Sequence, residues 1–410
     1  MNRSEYGMKK KFVLSVLLAA MMLMSMALVP VSAQEENDYS VTAEEAFKHA
    51  NAHMINYIAT GAPFFEKWEG ASIDPNPLEL YDPTGQKLYY QFSAYKNNNL
   101  IGIIDIGADK KLGQTVQLVE FYPKQFDATE AMKKSIEIAK SEYPDGEIKS
   151  TKMVVYDYPY IGAMTIVKDK TTGDEHRIFV DVYTLDVVPD EPATETKRGI
   201  WSIYEQRLKN GIDNNLKNWQ ESDDLTKSIE QKATSMEINI STPITEEQIE
   251  KLSDNIMMTA TTATTKTLNV PLYGQETSYY CAPATAKMIA KYYGVSYTQD
   301  HIYGVMGGTA PGGCTLSEQL YFYQLAQSSG GLGKSGSVKQ ISGLTFNDAV
   351  YEINNNRPFR SGLAGHARAC VGYYSSLGDQ VLAINDPLPV GSGSYKLEPF
   401  GSEANRIYVI

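Results

Sequence analysis

The amino-acid sequence changes character near residue 267, and this break constrains the fold more than any other feature. Residues 268–410 carry nine basic and nine acidic side chains, so the net charge of −12 lies entirely in the part before them. Nineteen of the 31 glycines fall in residues 268–410. A chain of 410 residues is expected to form two or three domains. We therefore predict an acidic N-terminal part and a separate, glycine-rich C-terminal domain.

The composition also excludes several classes of function. A pI near 5.1 leaves no basic face to neutralise phosphates, so nucleic acid is not expected as a partner. Three cysteines are too few for a disulfide scaffold or a four-cysteine zinc site. No cofactor is predicted.

Residues 1–33 are typical of an export signal. Three lysines (residues 9–11) precede an apolar run from Phe12 to Val29, and Val31-Ser32-Ala33 suits a signal peptidase. The alternative is an uncleaved membrane anchor, because the run is nearly as long as the ~20 residues that span a bilayer. We predict cleavage and an extracellular or cell-surface location, with membrane contact only if the segment is retained.

Residues 34–195 predict an α+β domain in which one order of elements occurs twice. A helical pattern from Val41 to Ile58 precedes strand-like stretches at 87–95, 100–106 and 115–122. A second helical pattern, residues 128–143, precedes strand-like stretches at 152–156, 163–169 and 176–187. Two small helix-and-meander units are the prediction; a single α+β domain without duplication is the alternative.

Residues 196–267 are predicted to be a helical connector that ends in a linker. Apolar residues from Ile200 to Trp219 recur at steps of three or four, and Thr245 with Gln248 predicts the cap of a further helix. The last segment, Thr259–Thr267, is small and polar, which is typical of an exposed linker.

Cys281 is a candidate nucleophile because the sequence places it at the start of a helix. Pro283 suits the first turn, and Gly294 suits the position just beyond the end. The positive end of the helix dipole favours the thiolate. Gln275 lies six residues earlier, and its amide together with the Cys281 N–H could bind the oxyanion of an acyl intermediate.

His366 is the candidate base, in a short strand-like run bounded by glycines. Asp386 ends a second strand-like run about twenty residues later, so an antiparallel pair would let its carboxylate orient the imidazole. Asn385 is the alternative orienting residue, with Asp386 then only a turn residue before Pro387.

Together these motifs resemble the papain-like cysteine peptidases, and most closely the branch related to the double-glycine peptidases that process bacteriocin leaders. The matching motifs are Cys281-Ala-Pro-Ala284 with Gln275, Gly365-His366 with Val371-Gly-Tyr373, and Asn385-Asp386-Pro387. The resemblance covers residues 268–410 and implies a helix carrying Cys281 packed on an antiparallel sheet, with Gln275, Cys281, His366 and Asp386 as catalytic residues. Arg368 and Cys370 depart from the usual apolar run after the histidine.

The resemblance implies an exported cysteine peptidase acting on peptides or proteins. The N-terminal part loosely resembles PepSY-type domains and the propeptides of streptopain-like peptidases, so we expect an intramolecular inhibitor that is released by cleavage near Thr259–Thr267. Alternatives with the same residues are a cell-wall amidase or transferase; a catalytically silent extracellular binding protein is the alternative of another class.

The remaining cysteines and histidines are expected to be structural. Cys314 and Cys370 can form a disulfide or stay as separate buried thiols. His49 and His53 have the i,i+4 spacing of helical metal ligands, but no third ligand accompanies them, so no metal site is predicted. Two glycine-rich stretches, 307–313 and 330–336, are predicted loops that can border the active-site cleft.

Overall fold

The computed structural model describes residues 39–257, 263–376 and 379–410. Val41–Ile410 form one compact unit, in which the predicted α+β class is confirmed. The predicted export signal and the first four residues of the Thr-rich linker (259–262) lie outside the described residues. No helix in the described part of the chain is long and apolar enough to cross a membrane.

The first part contains a helix and a meander, followed by a second helix and a second meander. Thr42 caps the first helix, because its side-chain oxygen accepts the Glu45 N–H at 3.1 Å. Asn97 and Asn98, both at positive φ, form the turn between two long strands. The elements are α1 (Ala43–Ala59), β1 (Ser72–Ile73), β2 (Leu78–Tyr81), β3 (Lys87–Lys96), β4 (Asn99–Gly107), β5 (Val116–Phe121), α2 (Ala128–Glu142), β6 (Glu147–Asp157), β7 (Tyr160–Lys168), β8 (Glu175–Asp181) and β9 (Val187–Val188).

The predicted connector is helical, with α3 (Ile203–Leu208), α4 (Ile212–Ser235) and α5 (Glu246–Met257). Thr245 and Gln248 exchange the two hydrogen bonds of a capping box at the start of α5. Trp219 of α4 is buried and meets the ring of His49 edge-on. The connector therefore packs on α1.

The C-terminal part places a group of helices against antiparallel strands. Its elements are β10 (Thr264–Thr267), α6 (Cys281–Tyr292), α7 (Gln299–Met306), α8 (Leu316–Gln324), β11 (Val338–Gln340), α9 (Phe346–Asn354), β12 (Phe359–Leu363), β13 (His366–Ser376), β14 (Asp379–Asp386), β15 (Ser394–Pro399) and β16 (Asn405–Tyr408). Strand β10 corrects the predicted linker, because residues 264–267 pair with β13 rather than remaining free. Threonine is β-branched, and β-branched residues favour the extended backbone of a strand.

One mixed sheet joins the two parts of the chain. Its order is β11-β16-β12-β13-β14-β15-β5-β4-β3-β2-β6-β7-β8-β9, with β1 on β3 and β10 on β13. Among the strands that the structure describes, β2 pairs with β6 in parallel and the other pairings are antiparallel. The junction is the pairing of β15 with β5, in which Lys396 lies opposite Glu120. The domain boundary at residue 267 stays a prediction, since the sheet is continuous across the two parts.

Polar contacts from α1 also join the two parts. His53 Nδ1 lies 3.2 Å from Asp379 Oδ2, and both side chains are fully buried. The Tyr374 hydroxyl contacts Asn56 Nδ2 at 3.1 Å and Thr60 Oγ1 at 2.8 Å. Because buried polar groups are costly to leave unpaired, these contacts bind α1 specifically to the β13–β14 hairpin.

Candidate active site

Cys281 is the first residue of α6, as the sequence predicts. The helix ends before Gly294, which takes the left-handed conformation at φ +83° that favours glycine. The thiol is buried at 8% exposure and lies against the sheet, where Thr285 of the next helical turn donates to the Ala367 carbonyl oxygen at 2.9 Å. Helix α6 thus aims the sulfur at the start of β13.

His366 and Asp386 lie on the neighbouring antiparallel strands β13 and β14. Ala369 faces Asn385 in this pairing, so Asp386 and His366 lie on one face of the sheet at diagonal positions. His366 Nε2 is 2.8 Å from Asp386 Oδ1, and both side chains are fully buried. The Asn385 amide instead donates to the Val270 carbonyl oxygen at 2.9 Å. The carboxylate of Asp386, and not Asn385, therefore contacts the imidazole.

The electrostatics of the thiol and the imidazole favour an ion pair. Burial raises the pKa of the Cys281 thiol, but the His366 ring, the Ala367 N–H and the charge of Arg360 outweigh burial and hold that pKa below its usual range. Burial lowers the pKa of His366. The charge and hydrogen bond of Asp386, together with the interaction with Cys281, outweigh burial and raise that pKa above its usual value. Both shifts stabilise thiolate beside imidazolium.

The geometry also assigns the two ring nitrogens of His366. Nε2 is used by Asp386, whereas Nδ1 is buried without a hydrogen bond of normal geometry to any described residue. Nδ1 is thus the nitrogen available for proton exchange with the Cys281 sulfur. This arrangement suits a base that is oriented from one side and reacts from the other.

Lys396 is a residue of this site that the sequence analysis missed. Its Nζ lies 3.0 Å from Asp386 Oδ2, and the Leu388 N–H donates to Asp386 Oδ1 at 3.0 Å. Burial opposes ionisation of Asp386, but the charges of Lys396 and His366 dominate and hold its pKa far below the usual range. Lys396 also lies 4.0 Å from Glu120, whose own pKa is raised by burial. The orienting carboxylate is therefore itself held by a buried cation.

Gln275 lies on the loop before α6 and is completely buried. Its backbone is fixed on both sides, since its N–H donates to the Pro387 carbonyl oxygen and its own carbonyl oxygen accepts the Gly391 N–H, both at 2.9 Å. Nε2 donates to the Thr277 carbonyl oxygen at 2.7 Å, which leaves its second hydrogen for another acceptor. Gln275 is not among the residues that line the cavity beside Cys281, so its place in an oxyanion hole stays a prediction.

A cavity of about 530 Å³ opens beside Cys281 and His366. Its walls include Gly312 and Gly313, so the first of the two glycine-rich loops borders the cleft as expected; the second is not among the residues that line it. Part of the wall comes from the N-terminal part of the chain, in a stretch that we call the cleft segment, residues 194–199. The position of the cleft segment in the wall of this cavity was not predicted from the sequence.

The cleft segment is held against both sides of the cavity. The Gly313 N–H donates to the Thr196 carbonyl oxygen at 2.9 Å. On the other side Gly365, at φ +64°, allows a close approach, because a Cβ there would lie 3.1 Å from the Lys197 carbonyl oxygen. Arg198 stacks on Tyr160, whose ring packs edge-on against His366. The N-terminal part thus contacts the histidine and crosses the cleft.

Most of the other predicted residues have structural surroundings, although Cys314 also lines the cavity beside Cys281. Cys314 and Cys370 are separate buried thiols, and burial raises the pKa of Cys314 to about 12. Arg368 is fully buried and forms an ion pair with Glu398 at 2.7 Å, which compensates the charge that interrupts the apolar run. His49 Nδ1 lies 2.8 Å from Thr226 Oγ1, so this histidine, like His53, makes helix-packing contacts.

Comparison with known proteins shows which family the C-terminal part of the chain is similar to. Residues 267–408 match the family model described as Peptidase_C39 like family. No curated protein matches the chain. The match confirms the resemblance that the motifs indicated and supports a peptidase of the cysteine type, while the likeness of the N-terminal part to PepSY-type domains stays a prediction. The C-terminal third of the chain is therefore similar to the C39 family of papain-like cysteine peptidases.

Proposed function

We propose that this protein is a cysteine peptidase that hydrolyses peptide bonds through an acyl-thioester on Cys281. The observation that carries the proposal is the opposed pair of pKa shifts at Cys281 and His366 beside a cavity, with Asp386 on the far nitrogen of the imidazole. A merely structural cysteine would have its pKa raised by burial, as Cys370 does. We further propose the papain-like arrangement for this domain, and a duplicated helix-and-meander unit for the N-terminal part.

The reaction follows from the positions of these groups. The Cys281 thiolate attacks the peptide carbonyl carbon, and the carbonyl oxygen takes the negative charge, which we assign to the Cys281 N–H and the Gln275 amide. His366 then gives its Nδ1 proton to the leaving nitrogen, so the C–N bond breaks and an acyl-thioester remains. Water attacks this thioester, its proton goes to Nδ1, and the acid leaves as the thiolate reforms.

We propose that the N-terminal part inhibits this activity until the chain is processed. The cleft segment crosses the cavity between Gly313 and Gly365, and Tyr160 packs against the His366 ring. A protein substrate therefore cannot lie across Cys281 while the cleft segment is in place. Under this proposal the chain is made inside a cell and exported through residues 1–33, so inhibition before processing protects the cell that makes the enzyme.

Cleavage between the two parts leaves them associated under this proposal. The pairing of β5 with β15 and the buried contact of His53 with Asp379 do not depend on the covalent connection. Cleavage in residues 259–267 alone therefore does not free the cavity. We propose that activation also requires cleavage in the cleft segment or proteolysis of the N-terminal part.

The test compares purified wild type with Cys281→Ala, and with Cys370→Ala as the matched control. Cys370 is buried on β13, and its thiol contacts the Gly372 carbonyl oxygen, away from the cavity. We expect casein hydrolysis and self-clipping by wild type and Cys370→Ala, and neither by Cys281→Ala. Equal clipping of all three proteins would refute self-processing, and release of wall fragments without peptide hydrolysis would favour an amidase. N-terminal sequencing of the secreted product tests export.

A further inference from the structure

The wall of the cavity that contains the Cys281 thiol also holds a carboxylate from the N-terminal part of the chain. Glu195 of the cleft segment lines the cavity, and its Oε1 accepts the N–H of Leu316, the first residue of α8, at 2.7 Å. The capping box of α8 uses the Thr315 and Glu318 N–H groups, so it leaves Leu316 without an acceptor of its own. Glu195 supplies that acceptor from outside the C-terminal domain.

A buried guanidinium lies against the same wall. Arg360 of β12 lines the cavity at 4% exposure. Its Nε donates to Gln319 Oε1 at 2.9 Å, and Nη1 contacts the side-chain oxygen of Asn405. Gln319 lies on α8 one turn after Leu316.

The ion-pair partners set Arg360 apart from the other buried arginines of the domain. Arg368 and Arg406 form ion pairs with glutamates, and no acidic side chain lies within 4.0 Å of Arg360 in the described part of the chain. Apart from the Cys281 thiolate, whose pKa its charge lowers, Arg360 is held by neutral amides, and such a buried cation retains a large attraction for an anion. Once the cleft segment is displaced from the cavity, the carboxylate of a substrate can pair with Arg360.

We propose that Leu316 N–H, Gln319 and Arg360 form a carboxylate subsite that makes the enzyme select anionic substrates. Glu195 occupies the rim of this subsite in the intact chain and so acts in place of the substrate. Arg360 is in this view a specificity-determining residue. The inference rests on the proposed peptidase function, and two sources can supply the carboxylate: an acidic side chain near the scissile bond, or the C-terminal carboxylate of the peptide.

Matched peptides distinguish these sources. Peptides that differ only as Glu or Gln at each position near the scissile bond test the side chain, and free-acid against amidated C-termini test the terminus. We expect one acidic form to be hydrolysed at least about tenfold faster in kcat/KM, because a charge-assisted contact is roughly twice as strong as a neutral one. Arg360→Met should remove this ratio, even though it also slows both peptides by weakening the charge that lowers the pKa of Cys281. Equal rates for all the pairs in the wild type would overturn the subsite.

A second measurement works even if the protein hydrolyses no peptide. Iodoacetate and iodoacetamide alkylate the same Cys281 thiolate, so the ratio of their rates does not depend on the thiol pKa and reports the local preference for a carboxylate. We expect Glu195→Gln to raise the iodoacetate:iodoacetamide ratio at Cys281 severalfold, as read by peptide mass mapping. Adding Arg360→Met to Glu195→Gln should return the ratio to the wild-type value.

The matched control is Glu191→Gln, which removes a charge close by in sequence but outside the cavity. Glu191 pairs with Lys197, with its side chain 59% exposed. Equal ratios for Glu195→Gln and Glu191→Gln would overturn the subsite. A raised ratio in Glu195→Gln alone, with no peptide hydrolysed, would instead keep the subsite and refute the peptidase. If Arg360→Met does not fold, the two glutamate variants still decide.

Discussion

Replacing Lys396 by methionine tests the buried charges behind the candidate catalytic histidine. Lys396 lies 3.0 Å from Asp386 and 4.0 Å from Glu120, and all three side chains are buried. Removing one partner of a buried ion pair costs about 3–5 kcal/mol, because the remaining charge loses its compensation. Asp386 keeps its contacts with His366 and the Leu388 N–H, so we expect a loss of about 3 kcal/mol, at the lower end of that range.

A second substitution separates the two carboxylates. Glu120→Gln in the Lys396→Met background removes the carboxylate that has lost its cation, and we expect it to recover roughly 1–3 kcal/mol. The matched control is Lys339→Met on β11, an exposed lysine bonded to the Ser317 hydroxyl at 2.8 Å, where the change should stay within about 0.5 kcal/mol. The measurement is urea-induced unfolding, followed by fluorescence at neutral pH.

The pH profile of the same variant tests the link to His366. Without Lys396, the negative charge of Asp386 acts on the imidazolium alone, so the pKa of His366 rises further. Activity that needs the imidazolium should then persist to higher pH, and the alkaline limb of the profile should move upward. This account of the site would be refuted if Lys396→Met were as stable as Lys339→Met and the alkaline limb of its pH profile did not move.

Three further predictions concern the thiol, the contacts of α1 and the loop before α6. Because the pKa of Cys281 is lowered, its alkylation should begin at lower pH than that of a free thiol with pKa ~8.5. In a pH series read by mass mapping, His366→Gln should move the midpoint of alkylation to higher pH. A midpoint unchanged by the variant would contradict the ion pair. Tyr374→Phe removes the contacts with Asn56 and Thr60 and should cost about 1–3 kcal/mol in unfolding experiments; unaltered stability would show that these contacts do not bind α1. Gly274→Ala places a Cβ 2.4 Å from the Gly391 carbonyl carbon, so it should displace the Gln275 loop, cost about 1–3 kcal/mol and lower casein turnover; full turnover would argue against a role for this loop.

Local signals explain why much of the site could be predicted from the sequence. The start of α6 at Cys281 follows from Pro283 and Gly294, which constrain the backbone through their own conformational preferences. The proximity of His366 and Asp386 follows from two short strand patterns joined by a short connection, which favours antiparallel pairing.

The missed features depend on contacts between residues far apart in the chain. Lys396 has no local sign of its role, because its partners Asp386 and Glu120 meet it only when β15 pairs with β14 and β5. The cleft segment is polar like any loop, and its place beside Cys281 depends on how the two parts pack. Arg360 lies in a short buried strand, where composition alone does not distinguish a subsite from a structural cation.

The most direct test of the central claim is acid-quenched mass spectrometry of the enzyme during turnover of a peptide ester. The account predicts an acyl adduct on the tryptic peptide that contains Cys281, formed by the wild type and by Cys370→Ala and lost on incubation at neutral pH. It also predicts that Cys281→Ala, folded as judged by circular dichroism, forms no adduct and hydrolyses no substrate. Turnover that persists in Cys281→Ala, or an adduct on another residue, would contradict the account.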